Sequence, residues 1–220
     1  MFSGEDLKAY FTRLAFPATT QELIHKIRAS EPVRRVKGRV GNVTTRYISL
    51  KMPFVIQAES HKVELRGIYD MDADPEVIEY YDQPDSIKLL YLSKSDKPVG
   101  ILHTPDFFVL KKTGAGWEEW KTEKEMTSLC EEMPNRYVSD DKGGWRCPPG
   151  EEHAQPLGLY YRVRTDASVN PMVNRNLQIM EDFYRHDVYQ PSYAVEQMIL
   201  KLVQEKPGIT IDELLEVLNG

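Results

Sequence analysis

The stretch HTPDFFVLKKTGAGWEEWKTEK, residues 103–124, decides how this chain is read. It places Asp106 at the head of an apolar run, crosses a Gly-rich segment, and continues as acid, aromatic, base. Side chains alternate across a strand, so a hairpin here sends Glu119 and Lys121 to one face and Glu118 and Trp120 to the other. With a loop from Lys112 to Ala115, Asp106 faces Lys121 and lies diagonal to Glu119, at about 7–8 Å between Cα atoms, near enough for two carboxylates to share a ligand. A slip of one residue would turn Asp106 to the wrong side.

Two carboxylates held together raise each other's pKa unless something offsets the repulsion. A divalent cation does so. Hard oxygen donors select Mg²⁺, with Mn²⁺ as a substitute, over zinc, and a neighbouring ammonium can position water or stabilise charge on a phosphate. These parts describe metal-assisted phosphodiester hydrolysis. A solvated salt bridge between Lys121 and Asp106 would use the same residues and contribute little. Spacing leaves both readings open.

Working outward, the chain has 220 residues, 41% of them hydrophobic, enough for one ordinary core and a small appended module. No run approaches the ~18 apolar residues of a membrane span, and MFSGEDLKAYF lacks a signal-peptide layout. The expected location is cytoplasmic, with association to the nucleoid when on DNA. Cys130 and Cys147 are read as ordinary thiols, since no paired spacing suggests zinc. The net charge of −6 argues against nucleic acid, but its distribution does not. Residues 26–51 hold Lys26, Arg28, Arg34, Arg35, Lys37, Arg39, Arg46 and Lys51 against Glu31 alone, a segment of +7 that leaves −13 for the rest. Such a run is either a solvated surface or an arm that contacts phosphates; Arg34, Arg35, Lys37, Arg39 and Arg46 are the DNA-binding candidates.

Two N-terminal helices and this basic arm occupy residues 1–44. An α/β core with mixed strands and flanking helices is expected over 45–190. Within it, a helix carries Glu64, and the Gly- and Pro-rich PNRYVSDDKGGWRCPPG, residues 134–150, reads as a surface excursion. The tail, 191–220, has two amphipathic helices in a helix-turn-helix-like arrangement, the second opened by a Thr210/Glu213 capping box. This unit is either minimal or part of a module that continues past Gly220.

Thr104-Pro105-Asp106-Phe107 followed by Glu119-Trp120-Lys121 resembles the PD-(D/E)xK motif of restriction-endonuclease-like nucleases. More specifically, AESHKVELRGIYDMDADPEVIEYYDQPDSI, HTPDFFV, LGLYYRVRTD and NPMVNRNLQIMEDFY resemble successive landmarks of TnsA, the endonuclease subunit of heteromeric bacterial transposases, over roughly residues 45–190. The resemblance implies a restriction-endonuclease-like mixed sheet flanked by helices. It implies Glu64 as the helix acid, Asp106 and Glu119 as the other two metal ligands, and Lys121 as the catalytic lysine. Glu59 competes with Glu64, because positions five apart on a helix face different ways at about 100° per residue. The implied activity is Mg²⁺-dependent cleavage of the 5′ strand at transposon ends, with a TnsB-like DDE transposase and a TnsC-like AAA+ regulator as partners. A non-catalytic architectural subunit and a stand-alone restriction or repair nuclease are the competing functions.

Overall fold

A computed structural model describes residues 1–32, 45–58, 63–183 and 192–219. Of the site expectations, Arg34, Arg35, Lys37, Arg39 and Glu59 lie outside the described residues. The chain divides into two compact units, Met1–Ile179 and Met180–Gly220.

In the first unit, α1 (Gly4–Arg13) and α2 (Ala18–Ala29) precede a small hairpin, β1 (Thr45–Ile48) with β2 (Val55–Ala58), and then α3 (Glu64–Ala73). There follow β3 (Val77–Asp82), β4 (Ile87–Leu92), β5 (Pro98–His103), β6 (Phe107–Lys111), β7 (Gly114–Lys121) and α4 (Glu123–Glu132). Short strands β8 (Val138–Ser139) and β9 (Trp145–Arg146), then α5 (Pro148–Ala154), β10 (Tyr160–Thr165) and α6 (Pro171–Met180), complete the core elements. The central sheet has the order β10-β7-β6-β3; β10 runs parallel to β7 and the other pairs are antiparallel. This is a mixed sheet with flanking helices, a restriction-endonuclease-like architecture.

The centre of the sheet follows from composition. Phe107, Phe108, Val109 and Leu110 are all buried, which an unbroken apolar strand requires when it has a neighbour on each edge and layers on both faces. Tyr10 of α1 donates its hydroxyl to the carbonyls of Lys111 and Gly114, each at 2.9 Å, and so fastens the β6–β7 turn to the helical layer. On the Trp120 face of β7, α3 approaches so closely that a Cβ on Gly67 would lie 2.7 Å from the Trp120 ring. On the opposite face, α5 packs its Gly150 backbone against Tyr161 and its His153 against Trp117.

Two expectations are corrected. Lys111 pairs with Gly114, so the turn is Lys112-Thr113 and the register brings Asp106 opposite Glu119 rather than Lys121. The glycines after Thr113 belong to the strand: a Cβ on Gly116 would fall 2.0 Å from the Tyr160 carbonyl oxygen of the parallel neighbour. Residues 134–150 are not a surface excursion throughout, since Tyr137, Cys147, Pro149 and Gly150 are buried in the same core. Asp140 organises its one exposed turn, accepting from the N–H groups of Lys142 and Gly144.

The basic segment also changes character. Lys26 pairs with Asp85 at 2.6 Å and Arg28 with buried Glu79 at 2.9 Å. Lys51 donates to the carbonyls of Met71, Asp74 and Val77 at the end of α3. Three of the eight cations are thus engaged internally, whereas Arg46 is exposed on β1.

The second unit contains α7 (Tyr193–Glu205), capped by Ser192, and α8 (Ile211–Asn219), whose N-terminus carries the expected Thr210/Glu213 bonds. Among the described residues no helix is long and apolar enough to cross a membrane.

Close approach at Gly67 makes a direct prediction. Gly67→Ala should lower stability by about 1–3 kcal/mol, because the buried Trp120 ring cannot swing away without disturbing the core. Gly4→Ala, where a Cβ meets nothing within 4 Å, should stay within about 0.5 kcal/mol. Urea midpoints compare the two; equal effects would contradict close packing at Gly67.

Candidate active site

Strand β7 buries two consecutive acids, and each lies on a different face. Glu118 faces Lys111 at 3.6 Å and Arg164 at 3.9 Å, and accepts from Tyr160 at 3.3 Å. Its role is to stitch β6, β7 and β10. Glu119, on the other face, is only 1% exposed, yet four side chains surround its carboxylate. Tyr137 donates to Oε1 and Tyr161 to Oε2, both at 2.8 Å. Lys121 Nζ stands 3.4 Å from Oε1 and His103 Nε2 3.5 Å from Oε2.

Asp106 enters beside this group from just before β6. Its Oδ2 accepts the Trp120 N–H at 2.6 Å and lies 3.6 Å from Lys121 Nζ. Its own carbonyl accepts the Gln83 N–H at 2.9 Å. Gln83 holds a left-handed backbone, φ 46°, a conformation that costs a side-chain-bearing residue about 1–3 kcal/mol and persists where surrounding bonds enforce it. The Thr104-Pro105-Asp106 connection is therefore pinned from the β3 end and from β7.

Electrostatics follow from the geometry. Burial opposes the charge on Glu119, but His103 and Lys121 outweigh it and hold the carboxyl below its ordinary range. For Asp106, burial raises the pKa, Lys121 offsets part of that rise, and Glu119 adds to it. Burial would favour a neutral Lys121; Asp106, Glu119 and then Glu64 overcome it and push the ammonium's pKa above its usual value. With both carboxylates beside it, Lys121 favours its ammonium form, suited to hold an anion or donate a hydrogen bond.

Asp106, Glu119 and Lys121 are brought together. Glu64, the first residue of α3, is buried and acts on the Lys121 charge. Among the described residues, no three His, Cys, Asp or Glu side chains form a group that could hold a metal ion. Asp106 and Glu119 remain as two hard carboxylates side by side. That donor set fits Mg²⁺, which commonly takes one or two protein carboxylates and fills its shell with water and phosphate oxygens. Arg46 lies on β1, which pairs with β2 in a sheet separate from that of β6 and β7.

Sequence reading missed Tyr137 and Tyr161. Tyr137 sits in a segment whose glycines and prolines suggested surface. Tyr161 carried a usable signal: in YYRVRT the residues at 161, 163 and 165 are buried, so alternation puts Tyr161 inward. Trp145 donates to Glu123 and Arg146 to Glu151. Both cysteines are free thiols.

A helix-flanked mixed sheet with an Asp, a Glu and a Lys gathered at one hairpin has the architecture of the restriction-endonuclease-like class. Residues 74–166 match the family described as TnsA-like endonuclease N terminal. That segment is thus similar to the N-terminal domain of TnsA-like endonucleases. The matched segment includes Asp106, Glu119 and Lys121, while Glu64 precedes it. No curated protein matches the sequence.

Asp82, which closes β3 beside Gln83, gives a pH prediction. Burial pushes its carboxyl up to about 6 from the ordinary 3.8, partly offset by the Gln57 N–H. The folded state then binds the proton more tightly than the unfolded chain, so stability is lost as pH rises through that window. Asp82→Asn keeps an acceptor for Gln57. It should gain stability of the order of 1–3 kcal/mol at pH 8 and little near pH 4. Urea unfolding at both pH values checks this, and a pH-independent difference would count against it.

Proposed function

We propose that this chain is the metal-dependent DNA endonuclease subunit of a transposase, cleaving the 5′ strand at transposon ends. The observation that carries the reading is the convergence of Asp106 and Glu119 on the Lys121 ammonium, within 3.6 Å, inside a segment matched to an endonuclease domain. Asp106 and Glu119 would hold the Mg²⁺, or Mn²⁺ in its place. Glu64, expected as a third ligand, acts in this proposal through its charge beside Lys121.

When bound, the metal supplies neutralisation of charge on the phosphate oxygens. The remaining work falls to the chain. Lys121 keeps its proton and presents an ammonium to the phosphate, where charge grows as the bond to the leaving oxygen breaks. Asp106, whose ionisation burial and Glu119 resist, gains most from a nearby cation. Arg34, Arg35, Lys37, Arg39 and Arg46 are proposed to follow the DNA backbone. A TnsB-like transposase and a TnsC-like regulator are the proposed partners; the exposed apolar side chains of the C-terminal helices, Met198, Leu200 and Leu215 among them, are suitable for protein contact.

Reconstitution with the partner transposase and transposon-end DNA tests the assignment. Asp106→Ala and Lys121→Ala should each reduce 5′ strand cleavage by about a hundredfold or more. Persistence of cleavage in both would remove the site, and a parent chain that binds ends without cutting would favour the architectural role, toward which the enclosure of Glu119 points.

Salt dependence tests the arm separately. Replacing Arg34, Arg35 and Lys37 with Gln should lower the slope of log K against log salt by about 0.9 for each phosphate that is no longer neutralised. An unchanged slope would take the arm off the DNA path.

A further inference from the structure

We propose that Tyr137 and Tyr161 are paired positioning residues that fix the Glu119 carboxylate of the nuclease site in one orientation. This rests on the nuclease reading above and names the groups that make its second acid usable.

A carboxylate withdrawn from water needs a donor for each oxygen, or it becomes neutral. Here the donors are divided evenly. Oε1 receives the Tyr137 hydroxyl and faces Lys121; Oε2 receives the Tyr161 hydroxyl and faces His103. Rotation of the carboxyl group would break both phenol bonds at once. The two phenols come from unrelated parts of the chain, one after α4 and one on β10, so neither bond is a by-product of local backbone geometry.

Each clamp is itself held. The Arg136 guanidinium stacks over the Tyr137 ring at 4.8 Å and approaches His103 Nδ1 at 3.1 Å. Guanidinium nitrogens only donate, so Nδ1 is the acceptor and the imidazole proton sits on Nε2, facing Glu119. Tyr161 is confined by the Gly150 backbone, where a Cβ would come within 2.6 Å of the ring. A phenol ordinarily holds its proton up to about pH 10, so both hydroxyls are available as donors.

The tyrosines therefore act through Glu119, in the manner of outer-shell partners whose loss costs about 10- to 100-fold in metal affinity or activity. The experiment compares Tyr137→Phe and Tyr161→Phe with Tyr80→Phe, which removes an equally buried hydroxyl bonded to Asp72, away from the site. Single-turnover cleavage is measured with end DNA, Mg²⁺ and the partner transposase, alongside DNA affinity. Urea midpoints are taken for each Tyr→Phe change in the parent and in Glu119→Gln.

Both site variants should cleave about 10- to 100-fold more slowly with DNA affinity within about twofold of the parent, while Tyr80→Phe loses stability but not rate. Their stability penalties should shrink by about half or more beside Glu119→Gln, because the charge they serve is gone. Rates indistinguishable from Tyr80→Phe, or penalties that simply add to Glu119→Gln, would overturn the proposal. If the parent does not cleave at all, the nuclease reading fails, and the stability cycle alone decides whether the tyrosines act through Glu119.

Discussion

A buried negative charge at Glu119 is the constraint around which the first unit is arranged. Removing a carboxylate from water costs several kcal/mol unless donors replace the lost hydration. The turn after α4 and β10 each supply a phenol donor, and the ends of β5 and β7 bring His103 and Lys121 to 3.5 and 3.4 Å. Each must be in place for the charge to be tolerated, so the acid links the sheet to the segments around it. Glu118 solves the same problem on the other face with Lys111, Arg164 and Tyr160, but those partners are committed to joining strands. What sets Glu119 apart is the company of a partly exposed Asp106 and a lysine that reaches both.

Much of this was legible. The apolar run from Phe107 to Leu110 announced a central strand, and alternation correctly separated Glu118 and Trp120 from Glu119 and Lys121. The register was not legible, for a physical reason. Gly114 and Gly116 look like a turn, but Gly116 is required by the close passage of the Tyr160 carbonyl, an approach invisible until β10 is known to lie parallel to β7. The actual turn, Lys112-Thr113, contains neither glycine nor asparagine. Reading the glycines as loop shifted Asp106 from Glu119 to Lys121.

The same limitation explains the rest of the site. Asp106, Glu119 and Lys121 belong to one hairpin and could be related by counting. Tyr137 and Tyr161 reach Glu119 across 18 and 42 positions, and no periodicity links them to it. Composition was misleading at residues 134–150, where prolines and glycines surround side chains that the core buries. For Glu64, the family resemblance supplied a helix acid, and helical spacing served only to separate it from Glu59.

The parallel pairing of β10 with β7 has a further consequence, for the order of assembly. An antiparallel hairpin such as β6–β7 closes from neighbouring residues, whereas a parallel strand must wait for its crossover, here the path through α4 and α5. Until that return is made, the carboxylate at Glu119 stays hydrated and Tyr161 is elsewhere. Assembly of the Glu119 cluster is thus bound to a long-range pairing, and a nascent chain with only its hairpin closed would still lack the β10 phenol.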